Sequence, residues 1–240
     1  MSKNLLITGA SSDVGSALIQ RIAGNYDKVI AHYRSSAEAV EKLQAQFGGK
    51  IVPLQADFAD ESQTNDFVEK LKNYRISHFV HIPAVPNTNK KFVKIVWADF
   101  EEHISVEVRS AYTVCSSIVP QMAKDGYGKI VFMLTENVAR STPGKFAIPY
   151  TTSKYALLGL MKCLSAEFAD KSITVNGVSP SMIETNFVSN LPELARQMNA
   201  DKSPIKRNLV PDDVISAFEY LLSDGADCVT GINIQVGVMG

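Results

Sequence analysis

The chain has 240 residues, 45% of them hydrophobic, and a formal net charge of −1 with its basic residues scattered. That length can bury a large core, and that charge gives no long-range pull toward nucleic acid or an anionic membrane, so neither is expected as a partner. Three cysteines without a CxxC spacing, four histidines without a ligand pattern and no long apolar run speak against a disulfide framework, a metal site and a membrane span, and point to the cytoplasm.

Short apolar, β-branched runs alternate with amphipathic stretches along the chain. A first strand over 4–8 leads through Thr8-Gly9-Ala10-Ser11-Ser12-Asp13-Val14-Gly15 into a helix over 14–25. Small residues let the backbone approach a pyrophosphate, and the helix N-terminus offers free N–H groups and the positive end of its dipole. Gly9, Ser11, Ser12, Asp13, Val14 and Gly15 are therefore candidate cofactor residues. A second strand over 28–33 ends at Tyr33-Arg34-Ser35, with no acidic residue to take the ribose hydroxyls of NAD. Arg34 and Ser35 offer charge and hydrogen bonds to a 2′-phosphate, which favours NADP(H) over NAD(H); the alternative is a solvated loop arginine.

After a helix over 37–47, a third strand over 51–55 places Asp57 and Phe58 at the same edge. There the Asp57 carboxylate could accept from an adenine amino group, or serve as a helix cap or turn. A helix over 61–74 and a strand over 78–82 follow, then the tight Pro83-Ala84 turn, a helix over 99–122 and a strand over 129–134. The next helix, over 150–168, opens with Tyr150-Thr151-Thr152-Ser153-Lys154. Four residues apart, Tyr150 and Lys154 share a helix face. A phenol titrates near 10, and a neighbouring ammonium brings it down, which suits Tyr150 to exchanging a proton with a carbonyl or alcohol oxygen during hydride transfer.

A strand over 174–179 ends at Pro180 and is followed by an irregular stretch over 181–206 that reads as a flap over a pocket or as a plain surface excursion. A helix over 211–222 and a strand over 233–236 close the chain. Continuously apolar strands alternating with helices imply one α/β domain over 1–240, a doubly wound parallel sheet covered on both faces. Its ligand crevice should lie at the carboxyl ends of the strands.

Taken together, Thr8-Gly9 with Gly15, Asp57, Tyr150-x-x-x-Lys154, Asn176-Gly177-Val178-Ser179-Pro180, Thr185 and the tail from Leu221 to Gly240 resemble the short-chain dehydrogenase/reductase family over essentially the whole chain. The resemblance implies a seven-stranded Rossmann sheet and a homodimer or homotetramer. It makes Tyr150 the acid/base, gives Lys154 the nicotinamide ribose, and sets Pro180, Ile183 and Thr185 near the nicotinamide. The nearest branches are the 3-oxoacyl-carrier-protein reductases and similar ketoreductases. The expected activity is NADPH-dependent reduction of a ketone, possibly a 3-oxoacyl thioester, to a secondary alcohol. A carrier protein is a possible partner: Lys171 matches one position of the basic pair used in related enzymes, while Gly126 stands at the other.

Several positions depart from the family pattern. Asp13 replaces a glycine, and its charge would oppose a phosphate unless it points away to cap the helix. His81-Ile82-Pro83-Ala84 replaces Asn-Asn-Ala-Gly, Ser181 replaces the glycine after Pro180, and Glu107 stands for the catalytic asparagine. Glu107 reads as a proton relay through Lys154, an ion pair that holds Lys154 from the tyrosine, or a simple helix-face carboxylate. The family's substrate-binding serine corresponds to Thr135 when aligned from the strand and to Asn137 when counted back from Tyr150; Thr135 is preferred because a hydroxyl can both donate and accept. These departures leave two alternatives: a catalytically decayed NADP-binding sensor or assembly subunit, and an NAD-linked sugar or secondary-alcohol dehydrogenase.

Overall fold

A computed structural model of the chain describes residues 2–87 and 89–237. Seven parallel strands run β1 (Asn4–Thr8), β2 (Lys28–Tyr33), β3 (Ile51–Gln55), β4 (Ile76–His81), β5 (Gly128–Met133), β6 (Ile173–Pro180) and β7 (Asn233–Val236). They lie side by side in the order β3-β2-β1-β4-β5-β6-β7. The order reverses between β1 and β4, so the crossovers leaving these strands diverge and open a crevice at their carboxyl ends, beside Thr8 and His81.

Alternation along each strand feeds two cores. Leu5, Ile7, Ala31, Val80, Val131 and Val178 face α1 (Asp13–Ile22), α2 (Ala37–Phe47) and, at the end of the chain, the helix Pro211–Leu222. Leu6, Ile30, Phe79, Ile130, Phe132 and Val175 face α3 (Glu61–Leu71) and the two long helices described next. Both faces of the central strands are covered, as continuously apolar strands require.

The helix expected over 99–122 is three pieces: α4 (Trp97–His103), a π-helical turn (Ile104–Arg109) and α5 (Ser110–Asp125). The wide turn carries Glu107, and π-bulges within helices are frequent at functional sites. The helix expected from Tyr150 starts earlier, as α6 (Ile148–Glu167), because Pro149 suits a first turn that needs no N–H donor. The stretch 181–206 holds a helix missed by the sequence pattern, α7 (Glu193–Lys202), in which Ala200 is the one buried residue; α8 (Pro211–Leu222) follows. No helix among the described residues is long and apolar enough to cross a membrane. The expected family-like tail beyond Gly237 lies outside the described residues.

Candidate active site

The carboxyl ends of the strands enclose a cavity of about 780 Å³. On its β1 side, Gly9 takes φ +76°, a left-handed conformation natural to glycine, beneath Ile82 and Pro83. A methyl group at Gly15 would run into the Gly9 carbonyl and the Ala10 backbone, so the helix can approach this closely only with glycine there. Ser12 caps α1: its Oγ accepts from the Gly15 N–H at 3.0 Å. Asp13 was expected to cap the helix or repel a phosphate, and it does not cap. Its carboxylate turns across the cavity mouth and accepts from both the backbone and the side chain of Asn186.

His32 fastens this turn to the next strands. Burial pushes its imidazole down to about 4, so the ring is neutral. It accepts the Gly9 N–H at Nδ1 (3.1 Å) and donates from Nε2 to the Ala56 carbonyl (3.0 Å), while Phe58 stacks on its face at 4.0 Å. Tyr33, expected at the coenzyme, does not line the cavity: half-buried, it packs against the core on the α1 side. Arg34 and Ser35 line the cavity as exposed residues, and the Arg34 side chain makes no ion pair among the described residues. Asp57 also lines it. One of its oxygens accepts from the Ala59 N–H at 3.0 Å, a turn role, while the cap of α3 is Asp60.

On the far side of the cavity, Tyr150 and Lys154 sit on the first turns of α6. Lys154 is buried, its Nζ donating to the Met133 carbonyl at 3.0 Å and lying 5.8 Å from the centre of the Tyr150 ring. The expected lowering of the Tyr150 phenol is not found. Burial in poorly polar surroundings pushes it above the ordinary tyrosine value, the Glu107 charge adds to this, and a hydrogen bond with Thr135 works the other way. Asn137 is occupied elsewhere: its amide donates to Thr151 at 3.1 Å and accepts from the Gly144 N–H. Thr135, not Asn137, is therefore the group beside the phenol.

Glu107 is no simple helix-face carboxylate. Fully buried, it accepts from the Val85 N–H (3.1 Å), His103 Nδ1 (2.9 Å), Ser153 Oγ (2.9 Å) and Lys154 Nζ (3.2 Å). Burial alone would raise its carboxyl; Lys154 and His103 outweigh that and hold it below its usual value. Beneath it lies His81, buried and pushed down to about 3, hence neutral. Its Nε2 must donate to the Glu107 carbonyl (3.0 Å), which leaves Nδ1 to accept from the Thr8 hydroxyl (2.9 Å). The imidazole thus bridges β1 and the π turn.

The wall after β6 is built from Pro180, Ile183 and Thr185. Ile183 pairs with Leu209 in an isolated parallel bridge that anchors both ends of the 181–206 stretch. From it Phe187 leans toward the Tyr150 ring, 6.2 Å between centres. Glu136 enters the same chamber, paired with Arg140 at 2.6 Å and hydrogen-bonded with Ser181. Pro83 and Ala84 line the cavity between the two ends. Sequence reasoning missed His32, His103, Glu136 and Asn186, and gave His81 only as a departure from the family turn. His32 and Asn186 work through partners distant in sequence, whereas His103 and Glu136 each pair with a residue four positions along, Glu107 and Arg140. No group of residues fit to hold a metal occurs among the described residues.

A family model described as enoyl-(acyl carrier protein) reductase matches residues 9–237. The chain is 30% identical to 3-oxoacyl-(acyl-carrier-protein) reductase FabG of Thermotoga maritima, covering 99% of this chain and 98% of that protein. It is 29% identical to the uncharacterized oxidoreductase YmfI of Bacillus subtilis, with 98% of each covered. Among solved structures, ElxO with NADP bound superposes with a TM-score of 0.86 at 23% identity, over 98% of this chain and 97% of that one, a likeness of fold.

Proposed function

The chain belongs to the short-chain dehydrogenase/reductase family of NAD(P)-dependent oxidoreductases, and we propose that within it this protein reduces a ketone to a secondary alcohol with NADPH. The observation that carries this reading is the placing of Tyr150, with the Thr135 hydroxyl beside it, on the cavity wall above a buried Lys154.

The residues fit a dinucleotide. Gly9 at positive φ and Gly15, packed against the Gly9 carbonyl, bring the start of α1 up to the cavity, where Ser11, Ser12, Val14 and the N-terminus of α1 would meet the pyrophosphate. Arg34 and Ser35 take the 2′-phosphate, Asp57 and Phe58 the adenine, Pro83 and Ala84 the middle of the molecule. Lys154 holds the nicotinamide ribose, with Pro180, Ile183 and Thr185 against the nicotinamide. When bound, the reduced nicotinamide supplies a hydride to the carbonyl carbon. Thr135 donates to the carbonyl oxygen, and Tyr150 delivers its proton to that oxygen. Glu107 orients Lys154, and the 181–206 flap encloses the substrate.

The relative from Thermotoga maritima suggests a 3-oxoacyl thioester as substrate and a carrier protein as partner. Phe92, Val93, Val96 and Trp97, all exposed, suit assembly of a homodimer or homotetramer. A substrate panel with NADPH, spanning an acetoacetyl thioester, a ketosugar and a cyclic ketone, tests the reading. Turnover of one class establishes it, and failure of all overturns it. The tight Lys154–Glu107 pair favours one alternative, a cofactor-binding protein without catalysis. Tight NADPH binding unaffected by Tyr150→Phe, without turnover anywhere, would select it.

A further inference from the structure

Three ionisable side chains lie in contact beneath the cavity floor, with exposures of 3% for His103, 0% for Glu107 and 1% for Lys154. A carboxylate removed from water is tolerated when donors fill its lone pairs and a cation opposes it. Glu107 meets both conditions, with four donors from three parts of the chain: Val85 after β4, His103 at the end of α4, and Ser153 and Lys154 on α6. Being charged, it can only accept from His103, so that ring carries its proton on Nδ1 and fixes Oε1. Oε2 is left facing the ammonium.

A lone buried ammonium favours a neighbouring phenolate. Paired at 3.2 Å with a carboxylate it forms a dipole, whose field falls off faster than that of a single charge. The groups facing Tyr150 are then Lys154 from its own helix, Glu107 and His103 from the π turn and α4, Thr135 and Glu136 from the loop after β5, and Phe187 from the flap. Glu136 is itself paired with Arg140. No uncompensated cation among the described residues faces the phenol.

We propose that Glu107, held in place by His103, neutralises Lys154 and keeps Tyr150 a proton donor, both acting as positioning residues, so that the site reduces carbonyls across a broad pH range and oxidises alcohols only under alkaline conditions. This rests on the reductase reading above. In reduction the carbonyl carbon gains a hydride with its electron pair and the π pair moves to oxygen. That oxygen takes the Tyr150 proton, and the phenolate recovers one from solvent. Oxidation must begin from the phenolate, whose population falls about tenfold for each pH unit below the phenol's pKa. The raised Tyr150 phenol agrees with this arrangement.

The test needs no substrate. Tyrosinate absorbance is followed through an alkaline titration, and the Tyr150 signal is isolated by subtracting the Tyr150→Phe variant made in the same background. The parent protein should show no Tyr150 ionisation within the ordinary tyrosine range. In Glu107→Gln the midpoint should fall by about one to three pH units, the effect of a nearby uncompensated cation. His103→Leu should move it the same way, and His103→Asn, which keeps an N–H donor, should restore it. If Glu107→Gln does not fold, the two His103 variants carry the test. An unmoved midpoint in the folded variants, or an ordinary Tyr150 in the parent, overturns the proposal. The pH profile of alcohol oxidation should shift to lower pH in parallel. Absence of turnover with a shifted tyrosinate midpoint would defeat the reductase reading and leave the charge arrangement standing.

Discussion

Asp13 and Asn186, 173 positions apart, are joined across the mouth of the cavity by two hydrogen bonds onto one carboxylate, 2.8 Å from the backbone N–H and 3.1 Å from the side-chain amide. The negative charge therefore stands at the first turn of α1, where the proposed pyrophosphate would bind, and is held there by the 181–206 stretch. Asp13→Asn removes the charge and keeps an acceptor. NADPH affinity should rise by about 0.5–1 kcal/mol, the size of a charge effect at a helix terminus, and depend less on salt. Nicotinamide fluorescence titration measures it; weaker binding would mean that the clip matters more than its charge.

Arg34 should discriminate between coenzymes. Arg34→Ala is expected to cost about 1.5–3 kcal/mol of NADPH affinity, as for a hydrogen bond to a charged group, and to leave NADH binding nearly unchanged. Parallel titrations with both coenzymes decide it, and equal losses would remove Arg34 from the 2′-phosphate.

Tyr150→Phe should keep the cavity and lose the proton. Turnover is expected to fall by about 10²–10⁴-fold, the range for general acid–base catalysis, while the Kd for NADPH stays within a factor of about two. A variant with undiminished kcat would assign the proton to another group.

Acid should unfold this protein through its histidines. His32 sits at about 4, and His78 and His81 at about 3, all lowered first by burial. Unfolded, each would take up a proton near 6.5, so below that value the unfolded state binds more protons and stability falls with pH. Between pH 6.5 and 5 the loss should be about 1.6 kcal/mol for each histidine. Urea unfolding at a series of pH values reads the slope, which His81→Asn should make shallower. A flat profile over that interval would show that these rings are protonated in the folded protein.

Strand and helix bounds were legible where one physical rule acted alone. Helix 37–47 and helix 211–222 are found as expected, the first ended by a glycine at φ +63° and the second opened by Pro211. Helix α7 left no apolar periodicity to detect because a single residue, Ala200, faces inward. The π turn adds one residue to a helical circuit without altering composition, so the sequence read one helix from 99 to 122. In the candidate site, spacing placed Tyr150 and Lys154 on one helix face, and both line the cavity. The protonation state of His32 or His81 depends on burial and on a carbonyl contributed from another element, and neither is written locally. The contacts that engage Asn137, with Thr151 and Gly144, are likewise not written in the local pattern.

Arg34 stands on a loop where its side chain holds nothing else in place, whereas Gly9, Gly15 and His32 are built into the first crossover of the sheet. If Arg34 takes the 2′-phosphate as proposed, coenzyme choice and coenzyme grip are separable traits in this protein. Mutational drift at one exposed position would then redirect the enzyme from one cellular pool of reducing equivalents to another, while comparable drift in the turn would be purged as a folding defect. An engineer retargeting the enzyme has the same freedom, confined to the same end of the cavity.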